Sequence, residues 1–377
     1  MTTVKQAYAE LLKDLVSFDS ISNKSNLPCI DFLSHYLSER RFRTQMFFNE
    51  DKTKANLVAA IGPDISGGLM LAGHTDVVPV DRQRWDFNPF ELIEMKGRLI
   101  GRGTSDMKGF IALVCDVIDS VSLNQLKKPL YLVFTYDEEV GCFGAKSLQK
   151  ELFKYAQYID FALIGEPTNS SLVNTHKGMQ ATKTQFMGKP AHSSAPHLGS
   201  NAIMAASAFL QQLPSFLPKE ENSAFTPAYT TFNAGMIKGG SAVNIIAEHC
   251  QLDWECRPLP GIQEKEIAHI MDKLTEEVRS SSKVDVHHHI ISFVPGLTTK
   301  NNQQSIEFVK QFLPESIKVT TAPFVTEAGI FEQASIPTIV FGPGELEQAH
   351  QPNESVSIEA MENYRQFLFD LIQHHCH

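Results

Sequence analysis

The sequence predicts an α/β protein interrupted by a smaller α+β module, and three observations carry that reading. The first half alternates helical patterns with short apolar strands. Strands that are separated by helices and apolar on both faces assemble into a mixed, mostly parallel sheet flanked by helices. Past Glu166 the texture changes to strands that alternate apolar and polar residues, in the order strand-helix-strand-strand-helix-strand. That is the order of a ferredoxin-like α+β module. After Pro295 the continuous apolar texture returns. The expected organisation is one α/β domain built from residues 1–177 and 291–377, with residues 178–290 inserted as the second domain.

The elements follow in order. Apolar residues at helical spacing predict helices over 4–17 and 28–41, and apolar runs predict strands over 56–62 and 67–73. LIEMKGRLIG reads as a hairpin-like stretch. A helix MKGFIALVCDVIDSV, a strand PLYLVFTYD, a helix GAKSLQKELF and a strand IDFALIGE complete the first part. THKGMQATKTQFMG alternates like one half-buried strand and opens the insertion. A helix over 201–213, strands over 230–238 and 245–257, a helix over 261–280 and the strand VDVHHHII follow. The last part carries the strand IPTIVFGPG and an amphipathic helix over 358–375.

Composition narrows the function. A formal net charge of -10 argues against a nucleic-acid or anionic-membrane partner, since both select for basic patches. No apolar run approaches the ~18 residues that span a bilayer. The amino-terminal stretch is amphipathic and lacks the apolar core of a signal peptide. Cys29, Cys115, Cys142, Cys250, Cys256 and Cys376 are scattered, without a CxxC pair. Reduced thiols in a cytoplasmic protein are the expectation.

Acidic residues and histidines recur where apolar strands end: His74 and Asp76 in GHTD, Asp137, Glu138 and Glu139 in DEE, Glu166 in GEP, and His350 in AHQP. Asp106 stands at the entrance of a helix in TSDMKG. Ligands of open α/β sheets bind at the carboxyl ends of strands. Several carboxylates on one rim repel each other unless a cation sits among them. Imidazole and carboxylate without clustered thiolates suit zinc, cobalt or manganese. Two histidines and three carboxylates exceed one tetrahedral zinc and suit two metals about 3.5–4 Å apart sharing one carboxylate. Asp106, short and at a helix start, is the natural bridge. Glu138 and Glu139 are adjacent, so one is expected to bind metal and the other to stand free as a general base. Asp76, two residues past His74, is expected to accept the ring N–H and fix the tautomer.

GHTDVVP, GRGTSDMKGF, TYDEEVG, IGEPT, GKPAHSS and AHQPNE occur in one order along the chain. Together they resemble the M20 family of co-catalytic zinc aminoacylases and peptidases, and the likeness runs almost end to end. The resemblance implies two zinc ions per subunit, with cobalt able to substitute. It implies that His74 and Glu166 bind one ion, Glu139 and His350 the other, and that Asp106 bridges them. Glu138 is then the general base and later the proton donor, and Asp76 orients His74. The inserted domain is then a lid that forms a homodimer, and His192 of GKPAHSS serves the partner's site. Arg257 and Asn244 match lid positions that grip the substrate's carboxylate, a role suited to an arginine fork. The implied reaction is hydrolysis of N2-acetyl-L-ornithine to ornithine and acetate in arginine biosynthesis. Acetylcitrulline, succinyl-diaminopimelate or another N-acyl amino acid is the alternative substrate. Where related chains carry TEAPF, this one reads TEAGIF over 326–331, and Glu327 there is a candidate partner for the ornithine side chain.

Other readings fit less well. His287, His288 and His289 alternate on a strand, so their side chains divide between two faces. HHCH at 374–377 ends a helix, where imidazoles suit the terminal carbonyls. No G-x-S-x-G occurs, and Ser193 lacks the context of a strained nucleophile elbow. A metal-free binding protein on the same scaffold would be expected to lack the base or a ligand, and all are present here.

Overall fold

The computed structural model describes residues 7–377. The chain divides into two compact units. One holds the chain up to Thr175 together with Thr298–Thr320 and Thr326–His377; the other holds His176–Leu297 and Thr321–Val325.

The first unit opens with α1 (Ala7–Ser17) and α2 (Leu27–Glu39). The start of the first predicted helix, residues 4–6, lies outside the described residues. Three strands follow: β1 (Arg43–Phe48), β2 (Ala55–Ile61) and β3 (Gly68–His74). The hairpin β4 (Ile93–Met95) and β5 (Arg98–Ile100) turns at Lys96 and Gly97, both at positive φ. Then come α3 (Lys108–Ile118), β6 (Leu130–Thr135), α4 (Phe143–Tyr155), β7 (Ile159–Ile164) and β8 (Leu172–His176).

The second unit contributes β9 (Met179–Met187), α5 (Ala202–Phe216), β10 (Thr231–Gly239), β11 (His249–Arg257), α6 (Glu264–Ser282) and β12 (Asp285–Val294). After it come α7 (Gln303–Val309), β13 (Val319–Ala322), α8 (Ala328–Gln333), β14 (Thr338–Val340), β15 (Ser355–Ser357) and α9 (Ile358–Cys376).

Eight strands form the large sheet in the order β1-β2-β6-β3-β7-β14-β8-β13. The central four, β6, β3, β7 and β14, run parallel, and β1, β2 and β8 pair antiparallel to either side. The fold is therefore mixed α/β with a mostly parallel centre. β3 and β6 are buried at every position, as strands covered on both faces must be. From β3 the chain crosses to β6 on one side and then to β7 on the other. That reversal opens a crevice beyond the carboxyl end of β3.

Helix α3 is buried along its whole length, Lys108 and Asp116 included, and packs against α1 and α9. Its first turn rests on the strand ends because residue 165 is glycine. A Cβ there would lie 2.0 Å from the Phe110 ring.

The second unit forms a four-stranded antiparallel sheet, β10-β11-β9-β12. Helices α5 and α6 pack with it around Phe186, Phe209, Leu252 and Trp254. The single strand predicted over 175–188 is two strands, β8 and β9, divided at Lys177 and Gly178. Gly178 crosses another backbone segment, and a Cβ on it would lie 2.8 Å from the Val294 carbonyl. Lys177 is buried; its ammonium donates to the Tyr229 carbonyl at 2.6 Å and lies over the Phe225 ring. The periodicity gave no sign of β1, α7, β13 or α8. β1 and β13 are edge strands, half exposed, and α7 and α8 span two turns or less.

Gly165→Ala is expected to cost roughly 3 kcal/mol by overpacking against Phe110. Denaturant unfolding against the parent protein measures this. An unchanged midpoint would show that Phe110 can yield.

Candidate metal centre

The parallel strands bring the acidic motifs together by register. His74 ends β3 opposite Thr135, the last residue of β6. Ala72 on β3 lies opposite Ile164, the last residue of β7, so Glu166 falls level with His74. Beyond β6, Asp137 adopts φ 55° and turns the chain, so Glu138 and Glu139 leave strand geometry and both reach the crevice. Asp106 precedes α3, and His350 lies on the loop after β14.

The distances sort these groups around Asp106. His74 Nε2 is 3.0 Å from Asp106 Oδ1 and 3.8 Å from Glu166 Oε1. His350 Nε2 is 3.3 Å from Asp106 Oδ2 and 3.0 Å from Glu139 Oε2. One oxygen of Asp106 thus faces each histidine. Donor atoms of His74, Asp106 and Glu139 all lie within 4.8 Å of one another, as do those of His74, Glu138 and Glu166. His74, Asp106 and Glu166 are buried, whereas the His350 side chain is 53% exposed.

Asp76 does more than hold the imidazole, and it holds it differently from the expectation. His74 Nδ1 donates to the main-chain oxygen of Asp76 at 2.9 Å, while the nearer carboxylate oxygen is 3.5 Å away. The carboxylate is turned to other donors: the Glu138 amide at 3.1 Å, the Glu139 amide at 3.3 Å and the Ser22 hydroxyl at 2.7 Å. Lys54 pairs with Asp137 from behind the same turn. Asp76 therefore positions His74 through its backbone and the Glu138–Glu139 turn through its side chain.

Electrostatics separate the groups. Burial pushes Glu138 well above the carboxylate range, and the charges of Glu139 and Glu327 add to the push. Burial and then the Asp106 charge raise Glu139 to about 7, and the same two causes raise Glu166 well above its usual range. Asp106 goes the other way, because hydrogen bonds from His350 and His74 outweigh its burial. His350 is raised to about 10 by its bonds to Asp106 and Glu139.

These residues fit a pair of divalent ions. Glu139 Oε1 and Glu166 Oε1 are buried without a hydrogen-bond partner, which is costly for a carboxylate unless a cation faces it. The donor set is imidazole and carboxylate, as zinc, cobalt and manganese prefer. The one nearby thiol, Cys142, is kept protonated by burial and donates to Glu138 Oε1 at 3.6 Å.

The remaining expected residues are placed as follows. His192 is exposed, and its Nδ1 accepts from the Ser194 amide at 3.2 Å. The Ser193 amide donates to the Asn244 carbonyl at 3.1 Å, so His192 and Asn244 lie on neighbouring segments. Arg257, at the end of β11, forms a two-pronged pair with Glu255. Glu327 is buried close enough to Glu138 for its charge to act there, and burial lifts it to about 7 against the opposing effect of the Thr135 hydroxyl.

His288 lies between the hydroxyls of Thr184 and Thr275, while His287 and His289 are exposed. His375 Nε2 donates to the Gly67 carbonyl at 2.9 Å and the ring packs on Phe161 and Phe308. Sequence reasoning missed Ser22 and Glu354. Glu354 stands inside the quoted motif AHQPNE, which was the available signal.

The profile of peptidase family M20/M25/M40 matches residues 70–374. The chain is 37% identical to an acetylornithine deacetylase of Pasteurella multocida strain Pm70, over 98% of this chain and 97% of the relative. It is 35% identical to an acetylornithine deacetylase of Proteus mirabilis strain HI4320, with the same coverage. Its fold is similar to an M20 family metallo-carboxypeptidase from Sulfolobus solfataricus, with TM-score 0.81 and 16% identity over 98% of this chain and 99% of that one. A tripeptidase from Staphylococcus aureus is similar at TM-score 0.78 and 22% identity, over 98% of each chain.

A pH dependence of the metal-free protein follows. Glu139 and Glu327 are raised to about 7 and His350 to about 10, so each stabilises the fold only while protonated. Asp106 and Asp76 are lowered, and their contribution is complete above about pH 5. Thermal unfolding of metal-free protein is expected to shift down between about pH 5 and pH 10, and saturating zinc to remove most of that slope. A flat profile without metal would contradict the buried repulsion.

Proposed function

The chain belongs to peptidase family M20/M25/M40, and from that premise we propose that it is a two-zinc amidohydrolase that splits N2-acetyl-L-ornithine into L-ornithine and acetate in arginine biosynthesis. The observation that carries the chemistry is the Asp106 carboxylate, with one oxygen toward His74 and the other toward His350. The full-length likeness to two proteins named acetylornithine deacetylase supports the substrate.

In this reading His74 and Glu166 hold one ion, His350 and Glu139 the other, and Asp106 both. Zinc or cobalt ions bound there supply Lewis-acid activation of water and of the amide carbonyl. Glu138 does the proton chemistry. It takes a proton from the attacking water, whose oxygen bonds to the acetyl carbon. It returns that proton to the amide nitrogen as the C–N bond breaks, giving acetate and the free amine. A carboxyl raised by burial is suited to both halves of that exchange. Asp76 keeps the base in place through the amides of Glu138 and Glu139.

The inserted unit is read as a lid and a homodimer contact. Its edge strand β10 is exposed, with Met236 and Ile237 uncovered, and Val243 and Ile245 beyond it are also exposed. An apolar, unpaired edge supports association with a second copy. His192 is assigned to the partner's site, where it would hydrogen-bond the oxygen of the tetrahedral intermediate. Arg257, with Asn244 beside the substrate, is assigned to its α-carboxylate, which requires it to exchange Glu255 for that ligand. A cytoplasmic location is proposed on the six buried, unbridged cysteines. No helix of the described residues is long and apolar enough to cross a membrane.

A related deacylase acting on N-acetyl-L-citrulline, N-succinyl-diaminopimelate or another N-acyl amino acid is the alternative. Amine release from the three named substrates, measured in parallel on zinc- or cobalt-loaded protein, separates the readings. Acetylornithine is expected to be cleaved best. Glu138→Ala is expected to retain metal and lose about 10²–10⁴-fold in turnover. His192→Ala is expected to lose turnover with metal content intact. Faster cleavage of another substrate would overturn the specificity, and an active Glu138→Ala would overturn the mechanism.

A further inference from the structure

Two loops carry the ligands on either side of Asp106, and one buried side chain joins them. Glu354 lies four residues past His350 and is 1% exposed. Its Oε1 accepts the amides of Ser105 at 2.8 Å and Asp106 at 3.0 Å. Its Oε2 accepts the amide of Gly103 at 3.0 Å and Arg102 Nη1 at 2.8 Å. Four donors, three of them backbone amides of the Asp106 loop, are thus satisfied by one carboxylate from the His350 loop. The chain strengthens the join directly after Glu354, where β15 pairs antiparallel with β5, just ahead of the Asp106 loop.

The two histidines differ in what else holds them. His74 ends a buried parallel strand and is fixed by the sheet and by the Asp76 backbone. His350 sits on an exposed loop at φ 63°. One side-chain bond reaches its backbone, from Gln83 Nε2 to the carbonyl at 2.8 Å. The His350 side of the centre therefore depends on loop anchoring, and the His74 side does not.

We propose that Glu354 is a positioning residue that fixes Asp106 relative to His350, and that it governs occupancy of the His350–Glu139 metal position while leaving the His74–Glu166 position largely intact. The proposal rests on the two-metal reading given above. Glutamine at 354 keeps the shape but points an amide NH2 at backbone donors, so two of the four bonds are replaced by donor–donor contacts. Such loss behind a ligand weakens metal affinity by about 10–100-fold.

The test is calorimetric titration of metal-free wild-type and Glu354→Gln protein with zinc, and separately with cobalt, following the visible Co2+ absorption. Wild type is expected to take two equivalents. The variant is expected to bind the first as wild type does and the second about 10–100-fold more weakly. Amide hydrogen exchange of metal-free protein gives a second readout, with faster exchange expected at Gly103, Ser105 and Asp106. Two unchanged affinities would overturn the proposal, and so would an equal weakening of both, which would mark Glu354 as a general structural residue. A wild type that takes fewer than two equivalents overturns the two-metal reading itself. Should Glu354→Gln not fold, Glu354→Asp, which keeps the charge opposite Arg102 but withdraws the carboxylate from the Asp106 loop, is read by the same criterion: selective loss of the second equivalent supports the proposal, and no selectivity overturns it.

Discussion

Asp106 turns one carboxylate oxygen to His74 and the other to His350, and it does so among Glu138, Glu139 and Glu166 in a buried crevice. Water cannot screen these charges there, so like charges repel far more strongly than at a surface. Protons or cations must relieve that repulsion. The raised carboxyls of Glu138, Glu139 and Glu166 are the proton solution, and a pair of divalent ions is the metal solution. The same low dielectric that makes the empty arrangement costly makes a Lewis acid and a raised carboxyl effective once a substrate arrives. The scaffold therefore stores part of its folding free energy in a site that metal binding can release.

The sheet delivers these groups without unusual local structure at most positions. Parallel register sets His74 and Glu166 level across β3 and β7. The reversal of strand order around β3 leaves open space where they point. The exceptions are two left-handed residues, His350 on its loop and Asp137, which turns both glutamates into the crevice and is held by Lys54. Strain of that kind is tolerated where surrounding bonds over-determine it. Asp76 supplies those bonds, since its carboxylate is spent on the turn and its backbone on His74.

Much of this was legible in the sequence because parallel strands make it so. An apolar run ending in a polar residue places that residue at the sheet's carboxyl edge, and β3, β6 and β7 do so for His74, the Glu138–Glu139 pair and Glu166; His350, expected at a fourth strand end, comes instead from a loop well past Val340. The insertion was legible from the change to alternating strands, and its βαββαβ order carried through to the sheet. Other features have no linear signature. β1 and β13 lie at edges where few positions need to be apolar. The break at Lys177–Gly178 depends on a backbone crossing near residue 294, remote in sequence. Asp76 was placed beside His74 by spacing, but the choice between its carbonyl and its carboxylate depends on amides 62 and 63 residues away. Glu354 was passed over for the same reason, since its partners lie about 250 residues earlier.

The most direct test of the central claim is anomalous diffraction at the zinc edge from crystals of the zinc-loaded protein. The account expects two peaks about 3.5–4 Å apart, one against each oxygen of Asp106, with His74 and Glu166 on the first and His350 and Glu139 on the second. A single fully occupied peak, or a pair that Asp106 does not bridge, would contradict it.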